Sequence, residues 1–105
     1  MKMSNPLERA IEIIVKVADP DQIILFGSRA RGDAKPESDY DLLVLKNDVK
    51  RTHKLAQEIY LNFRNIGAPV DVIVADSQKY HSLKDDPYLV YSDAAKEGRI
   101  VYERH

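Results

Sequence analysis

Three short apolar runs constrain the fold of this chain more than any other feature. They are Ile23-Ile24-Leu25-Phe26, Leu42-Leu43-Val44-Leu45 and the stretch from Val70 to Ala75, the last broken only by Asp71. Runs of this length, rich in β-branched residues, read as strands, and the first two read as strands buried on both faces. The second strand begins further back, at Asp39, where its first half alternates.

The segments between the runs read as helices. Leu7, Ile11, Ile14 and Ala18 recur at helical spacing, and Ala10, Val15 and Val17 widen the stripe. Asn5 can cap that helix, Pro6 suits its first position, Glu8 stands where a capping-box acid would, and Asp19-Pro20 ends it. The longest helix is predicted from Val49 to Ile66, with Leu55, Ile59, Phe63 and Ile66 as its core stripe and Gly67 just past its end. Ser77 to Asp85 is polar and has no clear assignment. Asp86-Pro87 reads as a cap and first residue of a helix running to Glu97, with Gly98 after it and Ile100-Val101-Tyr102 as a last strand. The order is α-β-α-β-α-β-α-β, in which the second α is a single turn. It gives an α/β or α+β sandwich with helices packed on a small sheet.

Composition narrows the function. The 105 residues suggest one domain spanning 1–105. Lys and Arg number 16 and Asp and Glu 17, so the basic footprint of a dedicated nucleic-acid binder is missing and no direct DNA binding is expected. Cysteine is absent, which excludes disulfides, zinc–thiolate sites and thiol chemistry. No apolar run approaches the roughly 20 residues of a membrane span. Met1 to Pro6 carries no signal-peptide core, and a cytoplasmic location is expected.

Three polar features interrupt the strands. Gly27-Ser28 follows the first one. Glycine lets a backbone approach a ligand closely, and amides at a helix start favour phosphate oxygens. Arg29 and Arg31 follow and could help neutralise a polyphosphate. Taken alone, Gly-Ser is also an ordinary strand-to-helix turn. Asp39-Tyr40-Asp41 opens the second strand, so both carboxylates share a face. Like charges so placed repel unless a cation lies between them, and oxygen-only donors suit Mg²⁺. A solvated strand entrance accounts for one such pair equally well. Asp71 sits at the mouth of the third strand, where it either binds a cation or reaches solvent or a nearby Arg. If the strands are neighbours, the three features form one site with a phosphate cradle and three carboxylates. That is the parts list of two-metal transfer at phosphorus, with metals about 3.5–4 Å apart.

The run Gly27-Ser28-Arg29-Ala30-Arg31-Gly32, followed by Ser38-Asp39-Tyr40-Asp41-Leu42, resembles the G-S-x(10)-D-x-D signature of the polymerase-β-type nucleotidyltransferases. In detail it is similar to the minimal nucleotidyltransferases (MNT), partners of HEPN-domain toxins. The ending Lys96-Glu97-Gly98-Arg99-Ile100-Val101-Tyr102-Glu103 also looks like the family's closing helix and strand. The resemblance implies a nucleotidyltransferase core, a short mixed sheet with helices packed on one side. It implies attack of an acceptor hydroxyl on the α-phosphorus of a nucleoside triphosphate, ATP in the first instance. By similarity Asp39 and Asp41 would bind two Mg²⁺ ions, Asp71 would hold the catalytic metal and help deprotonate the acceptor, and Gly27 and Ser28 would cradle the β- and γ-phosphates.

The same resemblance implies a HEPN toxin as partner, with a tyrosine that accepts AMP, so that the chain acts as an antitoxin. Two alternatives remain open at this point. One is an antitoxin that sequesters its partner without catalysis. The other is a small-molecule nucleotidyltransferase with a separate acceptor-binding subunit. His53, His81 and His105 lack metal-ligand spacing and read as surface residues, Tyr88 and Tyr91 read as packing residues, and Ser38 reads as a cap or support for the D-x-D strand.

Overall fold

Helices cover both faces of a four-stranded sheet in the computed structural model, which describes residues 5–104. The elements are α1 (Pro6–Ala18), β1 (Gln22–Phe26), α2 (Ser28–Arg31), β2 (Tyr40–Lys46), α3 (Thr52–Asn62), β3 (Val70–Asp76), α4 (Ser77–Leu83), α5 (Val90–Glu97) and β4 (Arg99–Glu103). The readings of Met1 to Ser4 and of His105 lie outside the described residues.

The strand order is β3-β2-β1-β4. β1 pairs antiparallel with both β2 and β4, while β2 and β3 pair in parallel through the α3 crossover. The sheet is therefore mixed, as expected. One expectation is corrected: the helices are not confined to one side. Ile23, Leu25, Leu42, Val44, Val72 and Val74 pack with Ala10 and Ile14 of α1 and Ile59 of α3. Ile24, Phe26, Leu43, Leu45 and Ala75 pack on the other face with Tyr80 of α4 and Ala94 of α5. Alternate residues of each strand thus enter different cores, which is why the central strands read as unbroken apolar runs.

Local signals account for most element ends. The Asn5 side chain accepts the Glu8 amide at 2.8 Å and starts α1, and Asp19 closes it in the left-handed conformation. The polar stretch after β3 forms α4, because the Asp76 carboxylate accepts the amides of Gln78 and Lys79 at 3.0 and 3.2 Å. Gly98 ends α5 with an ordinary φ, and a Cβ there would overlap the Ala94 carbonyl and crowd Ile24.

Two helix boundaries differ from the sequence reading. α3 spans Thr52–Asn62 rather than Val49–Ile66. The Asn62 amide donates to the Glu58 carbonyl at 2.8 Å and competes with the backbone ladder, and Phe63 then turns extended. Phe63 and Ile66 still reach the core, but from the loop. α5 begins at Val90 rather than at Asp86-Pro87, since the Asp86 side chain instead caps a turn by accepting the Tyr88 amide at 3.0 Å. No helix among the described residues is long and apolar enough to cross a membrane.

Candidate active site

The three predicted features meet at one end of the sheet. β1 finishes there, and β2 and β3 begin there. Phe26 pairs with Asp41 across the antiparallel ladder, and Asp41 pairs with Asp71 across the parallel one. Residues directly opposite share a face, so both carboxylates project on the side of Leu43 and Ile73. Asp39 lies two residues before Asp41, immediately outside β2. Asp39 and Asp71 are exposed and Asp41 is half-buried.

Gly27 connects this cluster to α2. Its φ of 74° lies in the left-handed region, and a Cβ there would overlap Asp41 Oδ2. The Gly27 carbonyl accepts the amides of Ala30 and Arg31 at 3.0 Å each, closing the single turn of α2. The first amides of such a turn have no partner within the helix. Gly32 ends the turn with φ 89°. The Gly-Ser turn and the D-x-D strand are thus packed against each other.

The electrostatics follow from the geometry. Burial, then the Asp71 carboxylate, then that of Asp39 push the Asp41 carboxyl above its ordinary 3.8, while Arg31 pulls it down. The two arginines take different roles in the structure. Arg29 donates to the Ser38 carbonyl at 2.9 and 3.3 Å and to the Pro36 carbonyl at 3.1 Å, with its guanidinium 4.3 Å from the Tyr40 ring centroid. Arg31 pairs with Glu97 at 2.7 Å and Asp33 at 3.4 Å. Ser38 supports the strand entrance, since its Oγ accepts the Lys35 amide at 2.9 Å.

The donor set is all oxygen and its charges repel, which fits a hard divalent cation. Among the described residues, no group of three or more His, Cys, Asp or Glu side chains is gathered as a ready-made metal site. Strand register places Asp41 and Asp71 on one face, with Asp71 and Asp39 exposed at the strand mouths.

The family described as Polymerase beta, Nucleotidyltransferase matches residues 8–105. The chain belongs to this family. It is a nucleotidyltransferase. A Methanocaldococcus jannaschii protein named as a candidate protein adenylyltransferase is 32% identical over 82 residues, covering 77% of each chain. A crystal structure of a candidate nucleotidyltransferase from Sulfolobus solfataricus superposes with a TM-score of 0.61 at 24% identity, covering 98% of this chain and 91% of that one. A crystal structure of a toxin–antitoxin with AMP-PNP has a TM-score of 0.62 at 20% identity, covering 93% of this chain and 73% of that one. These two share the fold.

Several residues of this nucleotidyltransferase surround the carboxylates without having been singled out as its neighbours in the sequence. Tyr40, the middle residue of D-x-D, stacks on Arg29, and Glu97 holds Arg31 from α5. Neither partnership has a sequence signal, since both join residues distant along the chain. His53 and His81 are exposed, as read from the sequence. Tyr91 packs edge-on against Tyr80 at 5.9 Å, whereas Tyr88 is 94% exposed and packs in no core. A groove of about 400 Å³ lies at the opposite end of the sheet, lined by Asp21, Asn47, Ser77 and Arg104 among others. Arg104 is tied there to Asp19 and Asp21, and the Gln22 side-chain amide donates to Glu103 at 2.6 Å, so the polar groups of this groove are engaged with one another.

Proposed function

We propose that this nucleotidyltransferase moves AMP from ATP to a hydroxyl of a partner protein, a tyrosine of a HEPN toxin, and so acts as an antitoxin in the cytoplasm. The observation that carries the chemistry is the pairing of Asp41 with Asp71 beside the Gly27 turn. The adenylyl group and the protein acceptor are supported by the name of the Methanocaldococcus jannaschii relative, and the toxin partner by the toxin–antitoxin neighbour of the same fold.

In this reading Asp39, Asp41 and Asp71 are the catalytic carboxylates and hold two Mg²⁺ ions. When bound, the ions offset charge on the transferring group and align the attacking and leaving oxygens. Gly27 and Ser28 receive the β- and γ-phosphates, because glycine lets the backbone come close and the Ser28 hydroxyl adds a donor. Asp71, exposed at the mouth of β3, takes the proton of the acceptor hydroxyl. The acceptor oxygen bonds to the α-phosphorus, the bond to the β-phosphate oxygen breaks, and pyrophosphate leaves. Arg31, held by Glu97 and Asp33 beside the cluster, adds positive charge near the phosphates.

The test uses ATP labelled at the α-phosphate, Mg²⁺ and the protein encoded beside this one, provided it carries the HEPN R-x(4-6)-H motif. Label should pass to that partner and should be lost with Asp39→Ala or Asp41→Ala. Transfer at the wild-type rate in both variants would overturn the carboxylate assignment. A partner neutralised in cells by Asp39→Ala would show sequestration instead.

A further inference from the structure

Asp39 lies outside the sheet, is exposed, and still has to stand in a defined place beside Asp41. β2 begins only at Tyr40, whose amide donates to the Pro69 carbonyl at 3.0 Å. A single guanidinium touches the residues on both sides of Asp39. Arg29 Nε and Nη2 both donate to the carbonyl of Ser38, the residue before Asp39, and Nη2 also reaches Pro36. Its face lies over the ring of Tyr40, the residue after Asp39. One edge and one face of the group are therefore committed to the peptide that carries Asp39.

We propose that Arg29 is a positioning residue of the transfer reaction: it holds Asp39 in place and does not bind the nucleotide's phosphates. The planar fork is what makes this possible. It donates to two carbonyls in its own plane while stacking on an aromatic ring, which a lysine ammonium does not reproduce. Ser38 stiffens the same turn from the other side through its bonds with Lys35. The stretch between the Gly-Ser turn and D-x-D thus works as a strut, and Arg29 braces it. The inference rests on the proposed role of Asp39 as a metal ligand.

The test measures Mn²⁺ affinity of the purified, nucleotide-free chain by electron paramagnetic resonance, with melting curves to establish folding. The variants are Asp39→Asn, Arg29→Ala, Arg29→Lys and Tyr40→Leu. Arg29→Ala and Arg29→Lys should each weaken Mn²⁺ binding by about 10-fold, the scale seen when a residue supporting a metal ligand is lost. Tyr40→Leu, which removes only the stacked ring, should weaken it in the same direction by less. In the transfer assay the ATP KM at saturating Mg²⁺ should stay within about 2-fold of wild type, while the Mg²⁺ requirement rises. Wild-type Mn²⁺ affinity in a folded Arg29→Lys protein, or a raised ATP KM with an unchanged Mg²⁺ requirement, would overturn the proposal. Should Arg29→Ala fail to fold, Arg29→Lys and Tyr40→Leu decide it. If Asp39→Asn itself binds Mn²⁺ like wild type, the metal-ligand reading of Asp39 fails first, and the two failures are told apart.

Discussion

Asp41 Oδ2 occupies the space that a side chain on Gly27 would need. The turn after β1 and the carboxylate on β2 are therefore one packed unit. Gly27→Ala adds a methyl group at positive φ against that oxygen. It should destabilise the fold by about 1–3 kcal/mol, the usual cost of a non-glycine residue forced into such a conformation. Because Asp41 must move, transfer should fall on the order of 100-fold, the effect of a displacement near 1 Å at a reacting centre. Urea denaturation and the labelled-ATP assay check the two halves.

Asp41 also titrates in an unusual direction. Its folded carboxyl takes up a proton more readily than the unfolded one, so ionisation opposes folding. Stability contributed by this group should fall as pH rises from its ordinary 3.8 through the raised folded value, and the penalty is complete above that. Asp41→Asn should therefore melt at a higher temperature than wild type at pH 7 in metal-free buffer, and lose that advantage below pH 3.8. The same variant should show no transfer. Added Mg²⁺ should narrow the gap in melting temperature by stabilising the wild type alone.

The opposite end of the sheet offers a control. Asp76 accepts two amides at the start of α4, far along β3 from Asp71. Asp76→Ala should cost about 1 kcal/mol of stability, as the loss of a helix cap usually does. The ATP KM and the transfer rate should not change.

Tyr60 guards an exposed edge. Its hydroxyl accepts the Val72 amide at 2.6 Å on β3, the outermost strand on its side. Tyr60→Phe leaves that amide without its partner and should cost about 1 kcal/mol. An unguarded edge also templates strand pairing between chains, so the variant should show more self-association than wild type in size-exclusion chromatography.

The strands and the place of the candidate site were readable in the sequence because each leaves a local mark. Ile23–Phe26 and Leu42–Leu45 are apolar on both sides because two helical layers cover them, and Gly27-Ser28 and Asp39-Tyr40-Asp41 interrupt that pattern at the end of the sheet where the proposed chemistry needs polarity. The end of α3 was not readable. Phe63 and Ile66 continue the helical spacing and do reach the core, yet a side-chain bond from Asn62 breaks the ladder before them. α4 was missed because its residues are polar apart from Tyr80 and Leu83 and its cap is the last residue of a strand. The bracing of Tyr40 by Arg29 depends on how a polar loop folds back, which no periodicity records.

Gly27 follows β1 and Asp41 lies on β2, an antiparallel pair joined by the short α2 connection, whereas Asp71 joins them only after the α3 crossover. Contacts closed by short stretches of chain form early, and parallel pairing waits for the longer loop to close. The third carboxylate is thus expected to arrive last. In refolding from denaturant, the turn and the first two carboxylates should be protected before β3 docks and brings in the third.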